Sequence, residues 1–317
     1  MSKYRQAVLL LAHGTPESVD QIPEYLRNVT GGRPLPPEVV EEIQRRYALI
    51  GHSPLTEITL EQARMVKTEL ATGSEPVPVY IGMRNWRPYI ADVVRQMRAD
   101  GIEAAAVLCL APQNSRTSVG LYRRALDSAI AAEASGLRID FTEGWAQHPL
   151  LIAAFAERLR PAWSKLITET GAPVPVLFTA HSVPTRTIQA TEGQPADPYA
   201  DEVRRTAELV AAQVPEIPQW FFAFQSQGVS GGPWLGPTVE ETLESIATSG
   251  AKAVLLQPIG FLCDHVEILY DVDILFHEFA NKLNLRLERP ESLNASVLLA
   301  KAIADLARQG LKRLSRP

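Results

Sequence analysis

Three carboxylates, Asp264, Glu267 and Asp271, recur at i, i+3 and i+7 soon after the apolar run Ala253-Val254-Leu255-Leu256. Read as a helix, the stretch places all three on one face. Like charges at that spacing repel and cost helix stability, so a site that attracts a cation is one reason to keep them. His265 brings an imidazole to the same corner. A second imidazole, His181, follows the apolar run from Val174 to Phe178 and precedes Ser182 and Pro184. Taken singly, an acidic stripe is ordinarily a solvated helix face and a strand-end histidine a structural residue. Here the two fall at corresponding strand ends in one half of the chain, and such ends are where open parallel sheets bind ligands. A neutral imidazole with one or two carboxylates suits a divalent first-row metal, and it suits a pair of proton acceptors equally well.

Further residues could hold a ligand without reacting with it. Arg46, Tyr47 and Ser53 flank a loop near residue 51, and with Arg33 they could bind carboxylates through charge-assisted hydrogen bonds. Gln225-Ser226-Gln227-Gly228 and Gly232-Pro233-Trp234-Leu235-Gly236-Pro237 form a glycine-rich loop suited to be a plain connection or a lip over an apolar ligand. Neither G-x-G-x-x-G nor G-x-x-x-x-G-K-[ST] occurs, which removes the main support for dinucleotide and nucleoside-triphosphate binding. No Gly-x-Ser-x-Gly elbow is present, and His277-Glu278 lacks the second histidine of a zinc-protease helix. The two cysteines, Cys109 and Cys263, are too few for an iron–sulfur cluster held only by cysteine.

The elements that must position these groups alternate. Val8 to Ala12 reads as a buried strand ending at His13, and Ser18 to Gln21 fits a capping box opening a helix. Helices follow at about 38–48 and 59–70, and a strand at 77–81. Pro88 suits the first turn of a helix that Gly101 closes, and a strand spans 104–110. The second half repeats the plan. Ala180-His181-Ser182-Val183-Pro184 matches Ala12-His13-Gly14-Thr15-Pro16, Trp220 to Phe224 matches 77–81, and Ala253 to Leu256 matches 104–110. Thr238 to Glu241 is another capping box, and residues 292–306 form an amphipathic tail helix. Two similar α/β lobes with parallel sheets follow. Residues 1–160 make the first, completed by the C-terminal helix, and residues 161–317 make the second, with the metal site.

At 317 residues, 46% hydrophobic and 21% charged, the chain has the composition of a globular protein with a large core. A net charge of −5 argues against a nucleic-acid partner. No apolar run approaches the ~18 residues of a membrane span, and the N-terminus lacks a signal peptide, so the expected location is the cytoplasm.

Thr179-Ala180-His181-Ser182-Val183-Pro184, Trp234-Leu235-Gly236-Pro237 and Pro258-Ile259-Gly260-Phe261-Leu262-Cys263-Asp264-His265-Val266-Glu267 resemble the signatures of the ferrochelatases. Residues 28–33 and 82–89 are most similar to the bacterial coproporphyrin-using branch. The resemblance implies two Rossmann-like lobes, each with a four-stranded parallel sheet flanked by helices, and a porphyrin cleft between them. It implies insertion of Fe2+, a substrate, into a porphyrin, with no tightly bound cofactor and no iron–sulfur cluster. Coproporphyrin III is favoured over protoporphyrin IX. His181 and Glu267 take the metal-site and catalytic positions, and Asp264 and Asp271 an outer metal path. His13, Arg46, Tyr47 and Ser53 take porphyrin-binding positions; His13 stands where that branch has a tyrosine able to ligate product iron. Thr30, Gln113 and Leu275 replace an arginine, a histidine and a glutamate found in some members. The alternatives are another tetrapyrrole chelatase, such as one loading cobalt into sirohydrochlorin, and a non-catalytic haem or metal carrier.

Overall fold

A computed structural model describes residues 5–71, 76–228 and 231–316. In chain order its elements are β1 (Gln6–Ala12), α1 (Ile22–Val29), α2 (Pro37–Ile50), α3 (Leu55–Leu70), β2 (Val79–Met83), α4 (Ile90–Ala99), β3 (Ala104–Cys109), α5 (Val119–Glu133) and β4 (Arg138–Thr142). There follow α6 (Pro149–Thr170), β5 (Val176–His181), α7 (Tyr199–Gln213), β6 (Trp220–Gln225), α8 (Val239–Thr248) and β7 (Ala253–Pro258). A π-helix, Glu267–Phe276, then runs into α9 (His277–Lys282), β8 (Arg286–Glu288) and α10 (Val297–Leu314).

The chain divides into two compact units. One comprises residues 1–111, 118–144 and 294–317, the other residues 112–117 and 145–293. The division falls at 144/145 and not at 160, because residue 160 lies inside α6, one continuous helix of the second unit. The first unit holds a parallel sheet in the order β2-β1-β3-β4, the second one in the order β6-β5-β7-β8. The orders correspond strand for strand, as the paired motifs imply. Strands β1, β3, β5 and β7 are near-continuous apolar runs because helices cover both faces of a parallel sheet. Of the edge strands, β4 and β8 are short and mixed in polarity, and sequence reading assigns them no residues.

Two local expectations fail. Ser18 makes no capping bond; Gln21 Oε1 instead accepts from the Glu17 N–H, 2.9 Å away. Pro88 lies ahead of its helix, which starts at Ile90, and its carbonyl accepts from the Met83 N–H at 2.7 Å. The capping box at Thr238 and Glu241 forms with both reciprocal bonds.

Helix α10 packs on β3, where Gly310 permits the approach. A Cβ on Gly310 would stand 2.9 Å from both Ala106 Cβ and Asp140 Oδ1. Arg313 clamps the same Asp140 with two bonds of 2.7 and 2.8 Å. Replacing a helical glycine by alanine ordinarily gains about 1 kcal/mol. Here overpacking of about 1–3 kcal/mol outweighs that gain, so Gly310→Ala lowers the midpoint of urea unfolding. A raised midpoint would show that the contact is loose.

Candidate functional site

In the second unit, β5, β6 and β7 end side by side, and each end contributes to one cluster. His181 is the last residue of β5, Gln225 the last of β6, and the segment after β7 carries Phe261, Cys263, Asp264 and His265 into the π-helix that Glu267 begins. Gln225 ties the ends together. Its Oε1 accepts from Thr179 Oγ1 at 2.6 Å, and its Nε2 donates to the Glu267 carbonyl at 3.4 Å.

The Glu267 carboxylate lies between two imidazoles. His181 Nε2 is 3.6 Å from Oε1 and His265 Nε2 is 3.7 Å from Oε2. Both imidazoles turn Nδ1 toward a backbone carbonyl, His181 toward Ser182 and His265 toward Cys263 at 3.0 Å. A carbonyl can only accept, so Nδ1 carries the proton in each ring. Each Nε2 therefore presents a lone pair, or a second proton, to the carboxylate. Two lone pairs facing an anion are stable only with positive charge among them. Phe261 fixes the ring planes, edge-on to His181 at 6.4 Å and tilted against His265 at 4.6 Å. Tyr199 Oη donates to the His181 carbonyl at 2.8 Å.

The titration states follow from this geometry. Burial works against a charged His181, but the Glu267 carboxylate and then the Ser182 carbonyl overcome it and hold its pKa above the ordinary 6.5. Burial likewise works against a charged Glu267, and His181 followed by His265 reverses that, holding the carboxyl well below 4.5. Glu267 is thus an anion beside a basic imidazole.

The three carboxylates do not share one face. Asp271 is buried on the π-helix and accepts from Ser226 Oγ, a residue held at φ +60°. Asp264 precedes the helix, 3.2 Å from Arg289 Nη2, and accepts from Ser292 Oγ at 2.6 Å. Gln113 serves the framework, its Nε2 donating to the Ile259 carbonyl at 3.1 Å. Sequence reading noted His265 without giving it a role, although its place in the motif is a signal. Gln225 and Ser226 fall in the glycine-rich loop read as a connection or a lip, with no signal of their contacts to Glu267 and Asp271, and Arg289 carries no local signal. Among the described residues, no group of three or more His, Cys, Asp or Glu side chains is placed to hold a metal ion by protein ligands alone.

In the first unit, His13 follows β1, as the paired motif implies. Gly14 turns there at φ +85°, and a Cβ on it would stand 2.8 Å from the Trp86 backbone nitrogen. His13 Nε2 lies 3.0 Å from both Tyr25 Oη and Asn85 Nδ2, and Asn28 Nδ2 donates to the Asn85 carbonyl at 3.1 Å. Tyr47 is buried, its hydroxyl 3.0 Å from Thr15 Oγ1. Arg46 Nε donates to Glu42 at 2.9 Å; hydrogen bonds from Arg45 and Arg46 lower the Glu42 pKa to about 2. Ser53 Oγ is buried and makes no hydrogen bond among the described residues, a state that calls for a partner.

The ferrochelatase family model matches residues 5–311. The chain belongs to the ferrochelatase family. It is 57% identical to a ferrochelatase of Acidobacterium capsulatum, over 98% of this chain and 96% of that one. It is 36% identical to a coproporphyrin III ferrochelatase of Mycolicibacterium vanbaalenii, over 95% and 88% of the two chains. In fold it is similar to the cobalt complex of the sirohydrochlorin chelatase SirB from Bacillus subtilis subspecies spizizenii, with a TM-score of 0.57 at 13% identity, covering 98% of this chain and 96% of that one. Ferrochelatases insert Fe2+ into a porphyrin, so the protein is an enzyme of the lyase class.

The paired shifts set a pH window. The lowered Glu267 pKa stabilises the fold above about 4.5, and that contribution is lost as pH falls through the folded-state value. The raised His181 pKa contributes fully below 6.5 and is lost as pH rises through the folded-state value. The pair therefore stabilises most between these limits. If His181 Nε2 takes a metal, that metal competes with its second proton, so Co2+ affinity falls as pH drops through the raised His181 pKa, and His181→Ala removes that step. A flat profile in the unaltered protein, followed by calorimetric titration, would contradict the assignment.

Proposed function

We propose that the protein inserts Fe2+ into coproporphyrin III for haem biosynthesis in the cytoplasm, with no resident cofactor or iron–sulfur cluster and no nucleic-acid partner. The observation that carries the reading is the Glu267 carboxylate between two imidazole Nε2 atoms. Insertion requires iron to shed water and the ring to lose two pyrrole protons. Glu267, an anion held well below the usual carboxylate range, attracts and ligates Fe2+. His181 is the stronger base of the pair and accepts a proton or coordinates the iron through Nε2. The buried Asp271 adds negative charge on the same helix and raises the local cation concentration. The remaining metal positions fall to water and the ring nitrogens.

The choice of porphyrin rests on donors in the first unit and on relatives named for coproporphyrin III. Coproporphyrin carries four propionates where protoporphyrin carries two. Ser53 offers an unpartnered hydroxyl, Arg46 a guanidinium shared with Glu42, and Tyr47 a hydroxyl beside Thr15. His13 Nε2 would have to give up Tyr25 and Asn85 to ligate the iron of the product. No helix among the described residues is long and apolar enough to cross a membrane.

Under anaerobic conditions with excess Fe2+ and coproporphyrin III, many Soret shifts per chain are expected; a one-to-one spectral change without turnover would mark a carrier. Glu267→Gln and His181→Ala each lower kcat by roughly 10²–10⁴-fold while porphyrin still binds, and near-normal turnover in both variants would place the chemistry elsewhere. A charge-assisted bond contributes about 1.5–3 kcal/mol before desolvation, so kcat/KM for coproporphyrin III exceeds that for protoporphyrin IX by about tenfold or more. A preference for protoporphyrin IX would overturn the substrate assignment.

A further inference from the structure

Four carboxylates lie between residues 264 and 273, and they are not in equivalent surroundings. Glu267 faces two imidazoles and Asp271 meets Ser226. Asp264 and Asp273 both meet Arg289, which follows β8. Arg289 Nη2 lies 2.8 Å from Asp273 Oδ2 and 3.2 Å from Asp264 Oδ1, and its Nε bonds the other oxygen of Asp273. Its Nη1 donates to the Pro290 carbonyl at 3.2 Å. The guanidinium side chain is only 14% exposed.

One nitrogen of that guanidinium thus sits within about 3 Å of oxygens from two carboxylates. Take the positive charge away, and the same point would hold a divalent cation after a small contraction, since such ions draw in several oxygens at about 2.0–2.6 Å. The two acids flank Glu267 in sequence, three residues before it and six after. A cation captured there would be held by carboxylates close in sequence to Glu267 that have no reason to release it.

We propose that Arg289 is a built-in counter-ion that closes the Asp264–Asp273 pair to divalent metal and leaves Glu267 as the carboxylate that receives it. This rests on the metal-handling reading of Glu267 and adds a specificity residue to it. It also assigns Asp264 to the clamp and removes it from the metal's route. A lysine at 289 would not be equivalent, because one ammonium cannot reproduce the bidentate bond to Asp273 while also reaching Asp264.

The test is calorimetric titration of the porphyrin-free protein with Mn2+ and Co2+. Arg289→Met gains a binding event that the unaltered protein lacks, and adding Asp264→Asn to that variant removes it. Glu267→Gln alone abolishes only the original event, so failure of the Glu267 reading and failure of the Arg289 proposal give different results. If folded Arg289→Met, verified by circular dichroism, binds no additional ion, the proposal is overturned. Should Arg289→Met not fold, Asp264→Asn decides. With Asp264 held in the clamp, its KM for Fe2+ stays at the unaltered value; a several-fold rise would put Asp264 on the iron's path and overturn the proposal.

Discussion

The cluster at the β5 and β7 ends depends on where two protons are placed. Backbone carbonyls of Ser182 and Cys263 fix the Nδ1 protons of His181 and His265, which leaves both Nε2 atoms turned toward the Glu267 carboxylate. That arrangement needs a positive charge, and either a proton or a metal ion satisfies it. The same contacts hold Glu267 anionic and His181 basic. In the proposed reaction, which exchanges protons for a metal, attraction of a cation and acceptance of protons would thus come from one set of groups.

The duplicated plan explains how this cluster sits where it does, and among the described residues the matching strand end of the first unit carries different partners. His181 ends, and His13 directly follows, the second strand in the order of its sheet. Yet His13 meets a phenol and an amide, Tyr25 and Asn85, while His181 meets a carboxylate. The carboxylate is what makes the His181 imidazole basic. Topology was kept and the chemistry at the strand end was changed, consistent with function residing in sites grafted on a fold.

Much of this was legible in the sequence. Continuous apolar runs mark the central strands because both faces of a parallel sheet are covered, and the repeated Ala-His-small-x-Pro pairs the two sheets correctly. His181, Glu267 and Asp271 are close in space as well as in motif. What was not legible depends on non-local partners. The acidic residues were read at 3.6 residues per turn, but the segment is a π-helix, and Asp264 is drawn off by an arginine beyond the next strand. Edge strands β4 and β8 are too short and mixed to show a period, and the division at residue 144 reflects the unbroken helix α6. Ser18 had the right residue type for a cap, but its backbone turn was closed by Gln21 from within the chain.

The central claim is that Fe2+ is received by Glu267 with the imidazoles beside it. Anomalous diffraction from crystals soaked in Co2+, without porphyrin, tests it directly. The account predicts a single peak within coordination distance of Glu267 and His181 Nε2, lost in Glu267→Gln crystals. A peak at Asp264 and Asp273, or a peak that persists without the Glu267 carboxylate, would contradict it.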